Sequence, residues 1–188
     1  MENKDITGDI KNGMSPERYR HTKGVVVTAL KLAEICGVDT CKAETAALLH
    51  DIARDFSGVR ILKLCRDFGI TPDEIEKAAP DLLHGKLAAC IASERYGVKD
   101  DEVLDAIRFH TTGRKNMSTL DKIIFIADMI EPGREFPGVE ELRVLAFKDL
   151  DGAVLAGLDS AIKYVLERGL ISHPSSTEAR NSLLKPDV

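Results

Sequence analysis

The sequence predicts an all-α fold: one helical bundle with polar groups gathered at its centre. Three observations carry that prediction. No convincing run of period-two alternation appears anywhere in the 188 residues. Aromatic residues make up only 5% of the chain and Trp is absent, so the core must come from Leu, Ile, Val and Ala, which favours helix-on-helix packing. Helix start and stop signals recur from one end to the other. The length suggests one domain, large enough to bury a core without disulfide or metal staples. The 44% hydrophobic content excludes a disordered chain.

Residues 1–13 read as a loose, polar leader, and residues 14–188 as the single folded domain. Ser15 followed by Pro16 is an N-cap with proline at the first helical position, and Gly37 stops the helix it opens. Asp39 or Thr40 caps a second helix running through KAETAALLHDIAR. Ser57 caps a third that ends at Gly69. Thr71-Pro72-Asp73-Glu74 opens a short fourth. Pro80 breaks the chain, and DLLHGKLAACIASERYG reads as the fifth. Asp100 or Asp101 opens a sixth that closes near His110. TTGRKNM is a polar loop. IIFIAD has a strand-like composition, but the Ser118 cap and its neighbours make it a buried helix. After the loop bracketed by Pro132 and Pro137 come VEELRVLAF, LDGAVLAGLDSAIKYVLERG and a short final helix. The stripe VLAGLDSAIKYVL is either core or a face for a homodimer.

A formal charge of −5 argues against a nucleic-acid polymer or an anionic membrane as partner, while leaving room for a small phosphorylated substrate. No apolar run approaches the roughly 18–20 residues of a membrane span, and the first 13 residues have no signal-like apolar stretch. The four cysteines form no CxxC pair, which suits reduced thiols in the cytoplasm.

The histidines carry the chemistry. His21 shares a helical face with Val25, Thr28 and Leu32. His50 continues the stripe of Ala46 and Ala47, and Asp51 follows it directly. His84 lies beside Leu87 and Ala88, His110 closes the sixth helix, and Asp128 follows Ile124 and Phe125 by one turn. Taken singly, such a histidine reads as a hydrogen-bonded core residue. Burying four imidazoles and two carboxylates together is strongly destabilising without a shared partner, and a divalent metal satisfies them at one place. With nitrogen and oxygen donors only, Fe, Mn, Co, Ni or Zn suits the set. Arg54, one turn after His50, is a candidate phosphate ligand or else a surface partner of Asp55. Arg114, Arg134 and Thr111 are further phosphate candidates.

His21, His50-Asp51 and Asp128 resemble the H…HD…D pattern of the HD-domain metal-dependent phosphohydrolases. The surrounding RYRHTKGV, ALLHDIARD, LLHGKLAA, AIRFHTTGR, MSTLDKIIFIADMIEPGREFPGVEELR and HPSSTEARN are similar to the YqeK-type branch, the symmetrical bis(5′-nucleosyl)-tetraphosphatases, over about residues 15 to 183. His110 is followed by Thr-Thr-Gly-Arg, not by the Gly-Tyr-Pro of the cyclic-dinucleotide branch. The resemblance implies an all-helical HD fold and hydrolysis of diadenosine tetraphosphate to two ADP by a metal-activated water, with iron as the metal. It implies that His21, His50, Asp51 and Asp128 hold that metal. His84 and His110 then either bind a second ion with Asp51 or bind substrate phosphate, which makes Asp51, His84 and His110 the catalytic candidates. It also sets His173 and Ile171 near the nucleoside, beside Asp51, Arg54, Thr111 and Arg134 as nucleotide-binding candidates. The alternatives are an HD enzyme for another nucleotide and a non-catalytic metal-containing nucleotide sensor.

Overall fold

A computed structural model describes residues 6–184. Eleven α-helices are present among them, with no strand: α1 (Ile6–Gly13), α2 (Pro16–Cys36), α3 (Thr40–Leu49), α4 (Gly58–Asp67), α5 (Glu74–Ala78), α6 (His84–Tyr96), α7 (Asp101–Phe109), α8 (Thr119–Ile130), α9 (Val139–Ala146), α10 (Leu150–Glu167) and α11 (Pro174–Leu183).

The centre of the bundle is α8. Leu120, Ile123, Ile124, Phe125, Ile126 and Ala127 are all buried, so this helix is apolar nearly all round, as an enclosed helix must be. Its start is held by a capping box between Ser118 and Asp121. α2, α3 and α7 surround it, α6 packs on α7, and α10 lies across α8, α9 and α11. α2 begins where Ser15 accepts from the Arg18 amide and ends at Gly37, whose φ of 69° is the left-handed turn glycine makes without strain.

The structure departs from the sequence reading in three places. Residues 6–13 of the expected leader form α1. Ile10 is buried against the bundle, and Asp9 accepts from Arg95 at 2.8 Å and from the Tyr96 hydroxyl at 3.3 Å. Residues 1–5 of that leader lie outside the described residues. The second helix stops at Leu49, five residues early, and the chain tightens into turns closed by Ile52 N to Leu49 O, Arg54 N to Asp51 O and Phe56 N to Ala53 O. The expected fifth helix is divided: Pro80–Leu83 is a 3₁₀ turn, and α6 proper begins at His84.

Candidate metal centre and phosphate site

The polar residues that looked misplaced on apolar helix faces meet in one place. α2 contributes Arg18 and His21, one turn apart. The tightened end of α3 presents His50 and Asp51, the start of α6 His84, the end of α7 His110, and the last turn of α8 Asp128. Asp51 is the hub, only 4% exposed. Its Oδ1 lies 3.3 Å from His84 Nε2 and 3.5 Å from His110 Nε2. Its Oδ2 lies 2.6 Å from Arg18 Nη1, 3.5 Å from His50 Nε2 and 3.7 Å from His21 Nε2. Asp128 Oδ1 stands 2.9 Å from His21 Nε2 and 2.6 Å from Arg134 Nη2. Two donor groups of metal-binding dimensions result, His21–His50–Asp51 and Asp51–His84–His110, and Asp51 belongs to both.

The ring tautomers show what this cluster wants. His50 Nδ1 donates to Ala47 O at 2.7 Å and His110 Nδ1 to Ile107 O at 2.8 Å, while His84 Nδ1 donates to Asp81 O. A carbonyl can only accept, so each of these rings carries a hydrogen on Nδ1 and, in its neutral form, turns the lone pair of Nε2 inward. His84 and His110 thereby bring two Nε2 atoms within 3.1 Å of each other and within 3.5 Å of the same Asp51 oxygen. Buried Nε2 of His50 has no hydrogen-bond partner, and neither has Nε2 of His21 despite its nearness to Asp128. Inward ring nitrogens around carboxylates that only Arg18 and Arg134 offset in charge call for a further cation. The donor set and its outward Nδ1 bonds fit a divalent metal.

Electrostatics divide the four rings into two pairs. Burial pushes the His50 imidazole down to about 4 and lowers His84 as well, so both are neutral at ordinary pH. Burial also acts to lower His110, but the hydrogen bond and charge of Asp51 outweigh it and hold that ring up. For His21, burial is outweighed by Asp128 and Glu131, and the ring is raised. Burial would raise both carboxyls. His50, His110 and His84 around Asp51, and His21 and Arg134 beside Asp128, instead hold them well below the usual carboxylate range.

Glu131 completes the support for His21. Its Oε1 accepts from His21 Nδ1 at 3.1 Å and its Oε2 from the Gly133 amide at 2.7 Å. The carboxylate presses so closely on Gly24 that a Cβ there would collide with Oε2, which is why α2 needs glycine one turn after its histidine. Arg143 of α9 fixes the loop from outside, donating to Ile130 O (2.9 Å), Glu131 O (2.8 Å) and Arg134 O (2.8 Å).

A cavity of about 640 Å³, within the size range of small-molecule sites, opens from this cluster. Arg18, Arg54, Arg134 and Thr111 line it with Asp51, His84, His110 and Asp128, and Met129, Phe136, Pro137 and Tyr164 add apolar and aromatic surface. Arg54 and Thr111 are thus where a phosphate ligand would be, with the Thr111 hydroxyl 3.2 Å from His84 Nε2 and 3.1 Å from His110 Nε2. Arg114 is not in the cavity wall. It is held by Asp121 at 2.8 Å and Asp105 at 3.0 Å, behind the site. Ile171 and His173 do not line the cavity either. Ile171 is exposed, and His173 caps α11 by accepting from the Ser175 amide and donates through Nε2 to Asp73 at 3.0 Å. His173, Asp73 and Glu76 have metal-binding spacing, but their donors are engaged in capping α5 and α11 and in the Glu76–Lys86 ion pair. Sequence reasoning missed Arg18, whose spacing three residues before His21 was the available signal. It also missed Phe136 and Tyr164, for which there was none.

A helical core that gathers a histidine, a His-Asp pair and a distant aspartate around one cation site defines an HD-domain protein. The HD domain family matches residues 18–133, and the chain belongs to it. Among its relatives are proteins named "Bis(5′-nucleosyl)-tetraphosphatase, symmetrical". The one from Halalkalibacterium halodurans is 42% identical over 93% of each chain, and the one from Bacillus subtilis is 36% identical over 98% of each. A crystal structure of a predicted HD superfamily hydrolase involved in NAD metabolism, from Clostridium acetobutylicum, superposes with a TM-score of 0.91. It is 46% identical and covers 95% of this chain and 94% of that one.

Proposed function

We propose that this chain is a metal-dependent phosphohydrolase that cleaves diadenosine tetraphosphate symmetrically into two ADP. The names of its relatives support the substrate and the symmetry. The observation in this chain that carries the reading is Asp51, shared by two donor groups at the head of a cavity with three arginines in its wall. His21, His50, Asp51 and Asp128 would hold the metal, with iron as the ion of choice, and His84 and His110 face either the substrate phosphates or a second ion. A bound divalent ion supplies Lewis acidity toward water and toward a phosphoryl oxygen. The protein does the rest. Arg54, Arg18 and Arg134 offset the charge of the polyphosphate, Thr111 offers a hydroxyl beside His110, and the Nδ1 bonds keep the rings from turning away. Residues 14–188 would act as one domain, to which α1 is joined through buried Ile10. Four free cysteines and the lack of any membrane-crossing helix among the described residues suit a cytoplasmic enzyme. If the chain pairs with itself, exposed Leu166 and Leu170 at the end of α10 are the surface that gains.

The test is to incubate metal-loaded protein with diadenosine tetraphosphate and resolve the products by anion exchange. ADP alone is expected. ATP with AMP would move the attack to another phosphorus and refute symmetry. No turnover would hand the site to a mononucleotide or to a sensing role.

Metal retention should depend on pH with a defined sign. Protons compete for the imidazole lone pairs, and the raised rings, His21 and His110, take them up first as pH falls. Metal content should therefore be stable at pH 8 and drop on dialysis at pH 4.5. Full retention at pH 4.5 would show that these histidines are not ligands.

A further inference from the structure

The HD-domain match ends at residue 133, yet the cavity does not. Part of its wall is a face of α10 formed by Ser160, Lys163, Tyr164 and Glu167. Spacings of three, four and seven residues put these four side chains on one side of the helix. Elsewhere along α10, Ala153, Val154, Gly157 and Leu158 are buried against the bundle, so the helix is anchored while this polar and aromatic stripe looks into the cavity.

We propose that this face is the subsite for the second nucleotide of a dinucleoside polyphosphate, with Tyr164 stacking on its base and Lys163 meeting the phosphates that leave with it. The inference rests on the function proposed above and adds to it what distinguishes a dinucleotide from a mononucleotide. The lining residues within the HD-domain match are rich in metal-ligating and phosphate-binding groups and include no Phe, Tyr or Trp. Phe136 and Tyr164, the cavity's Phe and Tyr side chains, both come from beyond the matched residues and offer the surfaces on which a second base could stack. Tyr164 is 53% exposed, so its ring is accessible to a ligand in the cavity. The guanidinium of Arg168 lies 4.4 Å from its ring centroid, which steadies the ring and adds a cation beside it. Lys163 is still more exposed, and its ion pair with Glu167 is long at 3.8 Å, so its ammonium is easily turned to a phosphate. Phe136 and Pro137 add apolar surface to the cavity lining.

The experiment compares wild type, Tyr164→Ala and Tyr164→Phe with diadenosine tetraphosphate as substrate and adenosine 5′-tetraphosphate as competitor. The competitor has the same phosphate chain and lacks the second nucleoside. Losing one base–aromatic stack should raise KM for the dinucleotide about tenfold in Tyr164→Ala. kcat should change little, the inhibition constant of the competitor should stay the same, and Tyr164→Phe, which keeps the ring, should restore KM. A dinucleotide KM in Tyr164→Ala equal to wild type would overturn the subsite, as would equal weakening of both ligands. The reading beneath it is judged separately, by wild type: without turnover of the dinucleotide, the function and the subsite fall together.

Discussion

Replacing Asp51 with alanine will remove metal and activity together. No other side chain in the site touches as much: Arg18, His21, His50, His84 and His110 all approach its carboxylate within 3.7 Å. It is buried and held ionised by those neighbours, so it is the fixed negative charge on which a cation would be centred. Losing an outer hydrogen-bond partner of a metal ligand costs about 10–100-fold in affinity or activity. Losing a ligand common to two donor groups should exceed the upper end of that range. The measurement pairs metal content of the purified variant with turnover, and circular dichroism confirms that the helices persist. Turnover within a few-fold of wild type would mean that the cluster is structural and the chemistry lies elsewhere.

The second large effect is on stability, from Gly85→Ala. Gly85 follows His84 at the start of α6, where α6 crosses α7. A Cβ there would lie 2.6 Å from Arg108 O and 3.3 Å from Ile107 O. Both are backbone atoms of α7 and cannot rotate away, so the two helices must separate. Overpacking of this kind costs about 1–3 kcal/mol. In a chain of this size that lowers Tm by roughly 2–4 °C for each kcal/mol. The same separation would open the 3.1 Å approach of His84 to His110, so weaker metal binding should accompany the lower Tm. Calorimetry reads the first and a metal titration the second; a Tm and an affinity both equal to wild type would show that α6 and α7 adjust freely here.

These outcomes turn on residues that were readable to different degrees. His21, His50, Asp51, His84, His110 and Asp128 stood out because each interrupts an apolar stripe, and burial of a polar group must be compensated. The starts and stops of α2 and α8 were legible for the same local reason: Ser15, Gly37 and Ser118 do their work within one turn of themselves. What escaped depends on contacts distant in the chain. The polar stretch around α1 shows little helical patterning, and it is held by Ile10 in the core and by Asp9 with Arg95 and Tyr96. No glycine or proline marks the end of α3 at Leu49, so helix propensity alone carries it through the His-Asp pair. In the structure, Asp51 is instead drawn toward Arg18 and the surrounding histidines. Arg114 looked like a free cation in a polar loop because its partners, Asp105 and Asp121, belong to the helices on either side of that loop. Tyr164 was hidden by the reverse effect. An aromatic near the end of an apolar stripe looks like core, and only the position of α10 reveals that it faces a cavity.

The three carbonyls gathered by Arg143 have a consequence for how substrate length is measured. Through them the strip of chain that carries Glu131, Arg134 and Phe136 is fastened to α9, outside the HD-domain match, as well as to α8 within it. Glu131 steadies the metal end, and Phe136 forms part of the base end. Arg143 thus ties the segment between His21's support and Phe136 by charge-assisted hydrogen bonds. Under the function and subsite proposed above, such a site would act as a ruler: a polyphosphate bridge one unit too short or too long would satisfy one end only by giving up the other.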